Sequence, residues 1–416
     1  MKKLILINIY FLTLLTGFKT YALELAPEQY PFPTKNAYLA TVLSVFSPYE
    51  DVYKQWNLKY RTDRKRIKAV NYTPAVSVSA YVQPKTKAPL LIIIPGVGGE
   101  GKSALSMAIG NAYIKQGYHV LALPSNLSWS YSVSVSEQAA PGYMPRDSVE
   151  YYNLMKWILN YAQTKKGMDY SSITVLGYSN GGLLAAFLAT HDKMQQNPLF
   201  KKILLINPAM DVMYGVQKLD YMNDVIGSKI APAKKDFIMG AILAEAESII
   251  DSKQDPINAL NSFMQKYKFK EQHVQWLIGS EYRKSLAAIV LGTQFIIDRG
   301  LLTEPYSNYV LNSRTEQSYK VSFADYINKV VIPSLPKSER AKDVYYESSI
   351  YSQMTKLKKD SRVFVFTNTD DFIIKPSDVE LLKTSFKDRL TLFPFGGHLG
   401  NALAPLNIEM YLKASQ

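Results

Sequence analysis

Cysteine is absent from this chain of 416 residues. Its absence excludes disulfides, thiolate metal sites and a cysteine nucleophile, so the fold is held by its core alone. Histidine is scarce: only His119, His191, His273 and His398 can supply an imidazole base. Beyond the N-terminal end no apolar run is long enough to span a bilayer. Internal repeats with periods of about 20 to 50 residues and low-complexity segments are also lacking, which argues for one architecture carrying insertions.

What is present is ordinary for a folded protein, with 47% hydrophobic and 20% charged residues. The length exceeds what one hydrophobic core usually serves, so a main domain with a large insertion is expected. Lys2 and Lys3 precede an apolar run from Leu4 to Leu15, followed by Gly17 and the small-residue context Thr20-Tyr21-Ala22. This pattern predicts a secretory signal over residues 1–22 and an exported protein, periplasmic or secreted. The run is shorter than the roughly 20 residues of a membrane span. Formal net charge is +13, and loss of Lys2, Lys3 and Lys19 with the signal leaves about +10. Basic clusters fall at residues 61–66, 266–270 and 356–359. They read as solvated faces, with weak association to an anionic membrane or polysaccharide as the sharper alternative. No nucleic acid is expected, since no stacking module or recognition helix accompanies them.

Strand and helix patterns alternate. Residues 75–82 alternate as a half-exposed strand, and residues 89–94 form a continuous apolar strand, as central parallel strands do. A helix over 103–116 and a strand over 117–124 complete one β-α-β unit. Asp147 and Glu150 suggest a capping box ahead of a helix over 151–163, and a buried strand at 173–176 follows. A helix over 181–191 and a strand over 202–208 come next. From 211 to 360 the pattern is mainly amphipathic helix, including 237–250, 273–298 and 321–331. Strands resume at 362–367 and 390–395, and 407–414 suggests a closing helix. The expected division is a signal (1–22), an N-terminal extension (23–74), a core (75–210), a helical cap (211–360) and the remainder of the core (361–416).

The sharpest chemical feature is Gly177-Tyr178-Ser179-Asn180-Gly181 between a strand and a helix. Such a turn strains its central residue, and glycines two positions away on either side remove colliding β-carbons while the Ser179 hydroxyl is raised above the sheet. Serine needs a base, most often histidine. His191 lies about 18 Å along the following helix at 1.5 Å per residue, His119 sits within a strand and His273 opens a helix of the insertion. His398 stands on a loop after the last strand, flanked by Gly396-Gly397 and Leu399-Gly400. The carboxylate that would orient it is assigned to Asp370 in the loop after strand 362–367, with Asp371 as a substitute and Asp211 as a more distant candidate. Backbone N–H groups of Val97 and Asn180 are the expected oxyanion donors, Val97 lying in the glycine-rich loop 95–99.

A competing pattern overlaps that loop. Gly96 to Ser103 satisfies the spacing of a phosphate-binding loop, glycine, four residues, then Gly101-Lys102-Ser103. The export signal, Glu100 inside the loop and the separate serine, acid and histidine weigh against a nucleotide.

Taken together, the loop at 95–99, the Gly177–Gly181 turn, Asp370 and then His398, in the order nucleophile, acid, histidine, resemble the α/β-hydrolase superfamily. The resemblance covers roughly residues 75–210 and 360–416. It implies a mostly parallel sheet flanked by helices, a mainly helical cap inserted between core strands, and a serine hydrolase acting on an ester or related acyl bond through an acyl-enzyme. A carboxylesterase or lipase-like activity is favoured over a peptidase of the same fold, and over a binding protein that kept the fold. The substrate would be a small-molecule or lipid acyl compound, and no metal or organic cofactor is implied. Where many members carry His-Gly at the oxyanion loop, this chain has Pro95-Gly96.

Overall fold

The computed structural model describes residues 21–44, 48–84, 87–251, 262, 264–304, 311–340 and 342–416. The expected signal lies, through residue 20, outside the described residues. Among those described, no helix is long and apolar enough to cross a membrane.

Nine strands form one sheet: β1 (Leu23–Glu24), β2 (Lys54–Leu58), β3 (Val76–Tyr81), β4 (Lys87–Ile94), β5 (His119–Ala122), β6 (Asp169–Tyr178), β7 (Phe200–Ile206), β8 (Val363–Asn368) and β9 (Leu390–Phe393). Their order is β1-β9-β8-β7-β6-β4-β5-β3-β2. Pairings from β1 through β5 are parallel, and β3 and β2 are added antiparallel at the far edge. The sheet is therefore mostly parallel, with helices in the crossovers, as the alternating pattern required.

Strand β4 shows why the apolar runs become central strands. Leu90, Ile92 and Ile94 face one core, which the helices Met144–Lys166 and Asn180–Lys193 cover. Leu91 and Ile93 face the opposite core, covered by the helices Ala104–Lys115 and Pro405–Ser415. A strand buried on both faces has no position for a polar residue, hence the unbroken Leu-Leu-Ile-Ile-Ile. Each such side chain contributes roughly 1.5–3 kcal/mol on leaving water.

Two expectations are corrected. The segment 23–74 does not stand apart from the sheet: β1 extends the β9 edge and β2 pairs with β3 at the other. Nor does Asp147 begin a helix by capping Glu150. That helix starts at Met144 with Pro145 in its first turn, and Asp147 is buried inside it.

Between β7 and β8 the chain leaves the sheet and forms a cap. Its larger helices are Val212–Asp220, Pro232–Asp251, Glu271–Ile296 and Leu311–Tyr319. The stretch around 321–331 is helical from Phe323, an α-helical turn (Phe323–Tyr326) that runs without a break into a π-helical one (Ile327–Val331). The cap has an apolar core of its own, including Leu286, Ile289, Val290, Phe323 and Val330. A second cluster joins Met222, Trp276 and Ile278 of the cap to Phe372 and Ile373 of the loop after β8. The cap is thus packed directly on the C-terminal ends of the strands, where open parallel sheets place their sites.

Candidate active site

Strand β6 ends at Tyr178, whose hydroxyl is held by Ser103 and Ser106 at 2.9 Å each. The next residue, Ser179, has φ 57° and ψ −124°, a conformation few side-chain-bearing residues adopt. It is over-determined by its backbone bonds: Ser179 N–H donates to the Ile206 carbonyl at 2.9 Å, and the Ser179 carbonyl accepts from Gly182 and Leu183 at 3.0 and 3.1 Å. The flanking glycines are sterically required. A β-carbon at Gly177 would lie 2.1 Å from the Gly181 carbonyl oxygen, and one at Gly181 would lie 2.1 Å from that of Ile94.

Ser179 meets His398. Ser179 Oγ and His398 Nε2 are 2.8 Å apart, while His398 Nδ1 faces the Asp371 carboxylate at 3.0 and 3.2 Å. All three residues are nearly inaccessible to solvent. A carboxylate can only accept, so the proton sits on Nδ1 and leaves Nε2 free to accept from the serine hydroxyl. The Asp371 carboxylate is itself fixed, accepting from Asn207 Nδ2 at 2.9 Å and from the Ile373 N–H at 3.1 Å.

The assignment of the acid to Asp370 is therefore corrected. Its carboxylate accepts the N–H groups of Gly396 and Gly397 at 3.2 and 2.9 Å and does not reach the imidazole. Burial raises the Asp370 pKa, and those two N–H groups oppose the shift. Asp370 braces the histidine loop from outside; its neighbour Asp371 turns inward to the ring. Asp211 is equally removed from His398: it accepts from the Tyr214 N–H at 3.2 Å to cap the helix Val212–Asp220, and it pairs with Lys375.

The other three histidines are engaged elsewhere. His119 bonds the Gln83 N–H at 3.0 Å and the Asp169 carbonyl at 2.9 Å within the sheet. His191 packs its ring against Tyr152 at 4.9 Å, and His273 accepts from the Lys270 N–H at the start of the cap helix Glu271–Ile296.

The glycine-rich loop after β4 lies against the serine. A β-carbon on Gly96 would fall 3.0 Å from Ser179 Cβ and 3.3 Å from its Oγ. Val97 and Asn180 line the same pocket as Ser179, and among the described residues neither of their N–H groups is taken by a backbone carbonyl. By contrast the N–H groups of Gly98, Gly99 and Ser103 bond Leu127, Gly96 and Glu100 carbonyls. The partly buried Glu100 carboxylate accepts from the Ser130 N–H at 3.0 Å and also pairs with the Ser130 hydroxyl. Three N–H groups of the loop are thus spent within the fold.

A buried polar chain steadies Asn180. Its Nδ2 donates to Asn126 Oδ1 at 2.7 Å, and Asn126 Nδ2 donates to Asp147 Oδ2 at 2.9 Å, which also accepts the Gly142 N–H at 2.6 Å. Burial, the largest influence, pushes the Asp147 carboxyl up; Arg146 and the two hydrogen bonds pull against it.

Three contributors were missed from sequence. Thr41, in the helix Ala37–Leu43, accepts the His398 N–H at 2.8 Å. Asn207 holds the Asp371 carboxylate, and it directly precedes the Pro208 that ends its strand pattern, a position after a β-strand that was a readable signal. Tyr282, in the cap helix Glu271–Ile296, lines the pocket beside Ser179; no local signal marks it.

The pocket, of about 80 Å³, is lined mostly by apolar side chains from both layers, among them Leu127, Met144, Leu183, Val216, Leu286 and Ile373. It ends on Ser179, and the cap closes it from above.

A family model described as an alpha/beta hydrolase fold matches residues 131–264. Among solved structures, the chain is similar to an esterase of Rhizomucor miehei at 11% identity, with 91% of this chain and 88% of that chain covered and a TM-score of 0.44. An esterase of Pyrococcus furiosus matches at 12% identity over 96% of this chain and 98% of that chain, with a TM-score of 0.41. Similarity to the acylaminoacyl peptidase of Pyrococcus horikoshii, at 10% identity and a TM-score of 0.43, takes in 87% of this chain but only 40% of that one. A search of curated protein sequences finds no match. With the family match over residues 131–264, the parallel sheet with its helical cap and the strained serine turn at the end of β6, the chain has an α/β-hydrolase fold.

Proposed function

We propose that the protein is a serine hydrolase that cleaves a carboxylic ester through an acyl-enzyme, with Ser179 as nucleophile, His398 as general base and acid, and Asp371 as the group that orients and stabilises the imidazole. The observation that carries this reading is the continuous hydrogen-bonded series Ser179–His398–Asp371 at 2.8 and 3.0 Å. His398 Nε2 takes the serine proton as Oγ attacks the carbonyl carbon, and the imidazolium formed is stabilised by Asp371. The carbonyl oxygen then carries negative charge beside the N–H groups of Val97 and Asn180, at the N-terminus of the helix Asn180–Lys193. Collapse expels the alcohol with the proton from His398, and water repeats the cycle to release the acid.

The apolar, capped pocket of about 80 Å³ favours a short acyl chain. Export, read from residues 1–22, would place the enzyme outside the cytoplasm, and the basic clusters would draw it toward anionic surfaces, an attraction that added salt screens.

Fluorophosphonate labelling of the purified protein tests the nucleophile. Wild type is expected to label and Ser179→Ala not to; normal hydrolysis by Ser179→Ala would sink the assignment. A series of p-nitrophenyl esters from acetate to palmitate, run beside peptide amides, tests the substrate class. Preference for the short esters supports the reading, and preference for palmitate or for amides overturns that part of it.

A further inference from the structure

Glycine inside a helix is less favourable than alanine, so a buried helical glycine calls for a physical reason. Gly215 lies in the cap helix Val212–Asp220, is buried, and donates its N–H to the Asp211 carbonyl at 2.9 Å in the ordinary helical pattern. Its backbone is outside the left-handed region, and a β-carbon added there would meet nothing within 4 Å beyond its own helix backbone and chain neighbours. Gly177 and Gly181 contrast with it, since a β-carbon on either would strike backbone oxygen at 2.1 Å. Among the described residues Gly215 is the one buried glycine that neither a positive φ nor a close neighbour demands.

The space left by the missing side chain belongs to the pocket that ends on Ser179. Val212, Gly215, Val216 and Leu219 all line that pocket, and positions i, i+3, i+4 and i+7 share one face of a helix. Gly215 is therefore a notch in an otherwise apolar face that looks onto the serine, and a side chain placed there would enter the pocket.

The mechanism says which part of an ester this pocket holds. The leaving alcohol takes its proton from His398 Nε2, so it lies on the histidine's side of Ser179 Oγ. The pocket is walled by Ser179 and by Val97 and Asn180, whose N–H groups face the carbonyl oxygen, and among the described residues His398 does not line it. A substrate whose carbonyl is held there directs its alcohol toward His398 and its acyl chain into the pocket.

Resting on the serine-hydrolase reading above, we propose that the notch at Gly215 takes the substrate's acyl chain, and that the residue at position 215 sets the longest chain the enzyme accepts. Gly215 acts through the room it leaves and takes no part in the bond-making steps.

The experiment compares wild type, Gly215→Ala and Gly215→Leu on two series: p-nitrophenyl esters from acetate to octanoate, and alkyl acetates from methyl to hexyl. In the first series kcat/KM for acetate should stay within about threefold of wild type, while the longest chains that wild type accepts should lose about 10-fold or more per excluded methylene, with Leu cutting the series shorter than Ala. The alkyl acetates should be cleaved by both variants as by wild type. Gly215→Ala should melt no lower than wild type, because alanine is the better helix former and meets no neighbour. An unchanged acyl preference in both variants, an equal loss at every chain length, a loss that follows the alcohol instead, or a Gly215→Ala protein that melts well below wild type overturns the proposal. A wild type that a small fluorophosphonate labels but that cleaves neither series overturns it as well, and the serine assignment stands. Absence of both labelling and hydrolysis in wild type overturns the serine assignment itself, and this inference with it.

Discussion

Thr41 Oγ1 accepts the backbone N–H of His398 at 2.8 Å, joining two residues 357 positions apart. The same helix, Ala37–Leu43, lies so close to the histidine loop that a β-carbon on Gly397 would sit 1.9 Å from the Ala37 carbonyl oxygen. Thr41 also donates to that carbonyl at 2.8 Å. The N-terminal extension is thereby part of the site's frame.

Thr41→Val keeps the shape of the side chain but leaves the His398 N–H without its acceptor. A buried donor stripped of its partner costs about 1–3 kcal/mol. The variant should unfold at a lower denaturant concentration and show a lower kcat at nearly constant KM, measured by urea titration and ester hydrolysis. Full activity and stability would mean that the helix merely lies beside the loop.

The adjacent aspartates have different partners, Asp371 the His398 ring and Asp370 the Gly396 and Gly397 N–H groups. Asp371→Asn should lower kcat by about 10³- to 10⁴-fold, because an amide in place of the carboxylate favours the wrong imidazole tautomer. Asp370→Asn removes a brace on Gly396 and Gly397 without touching the ring, so its kcat should stay within about tenfold of wild type while thermal stability falls. Steady-state kinetics on both variants decide the matter, and the reverse ranking would restore Asp370 as the acid.

Gly181→Ala has nowhere to put its methyl group. The added carbon would lie 2.1 Å from the Ile94 carbonyl oxygen and 2.5 Å from that of Pro95, both rigid backbone atoms. The expected outcome is insoluble or inactive protein, or a loss of more than about 3 kcal/mol, beyond the usual range of point substitutions. Circular dichroism melts of any soluble fraction measure it; a wild-type melt would contradict the tight turn.

Glu150 gives a pH-dependent term. Burial, and next the charge of Asp147, raise its pKa from 4.5 to about 7. In the unfolded chain it ionises near the ordinary value, so the folded state holds the proton more tightly. Stability is then greatest below the unfolded pKa, falls as pH rises through this window and levels off above the folded value. Glu150→Gln removes that loss. Allowing for partial solvent screening, it should gain about 2 kcal/mol over wild type at alkaline pH and little at acid pH. Melting temperatures of both proteins across that range test the sign, and a larger gain at acid pH would refute it.

How much of this was legible in the sequence depends on how local the signal was. The strands at 89–94 and 173–176, the serine turn and the choice of His398 all follow from residues within a few positions of one another. Helix starts were less secure: Asp147 and Glu150 read as a cap, but Asp147 is drawn into the interior by Asn126 and Gly142, partners supplied by other segments. The two short strands β1 and β2 carry little alternation of their own and exist because sheet edges were available to pair with.

Sequence by itself determined the tight turn at Ser179, the loop histidine that meets it and the layered parallel sheet, because periodicity and glycine placement record the backbone each residue must adopt. Tertiary structure alone decided which of two consecutive aspartates faces the imidazole, that a helix near residue 41 buttresses His398, and that a cap tyrosine overlooks Ser179. Those outcomes turn on where a side chain points once distant segments are packed together, and neither hydrophobic period nor residue spacing encodes that direction.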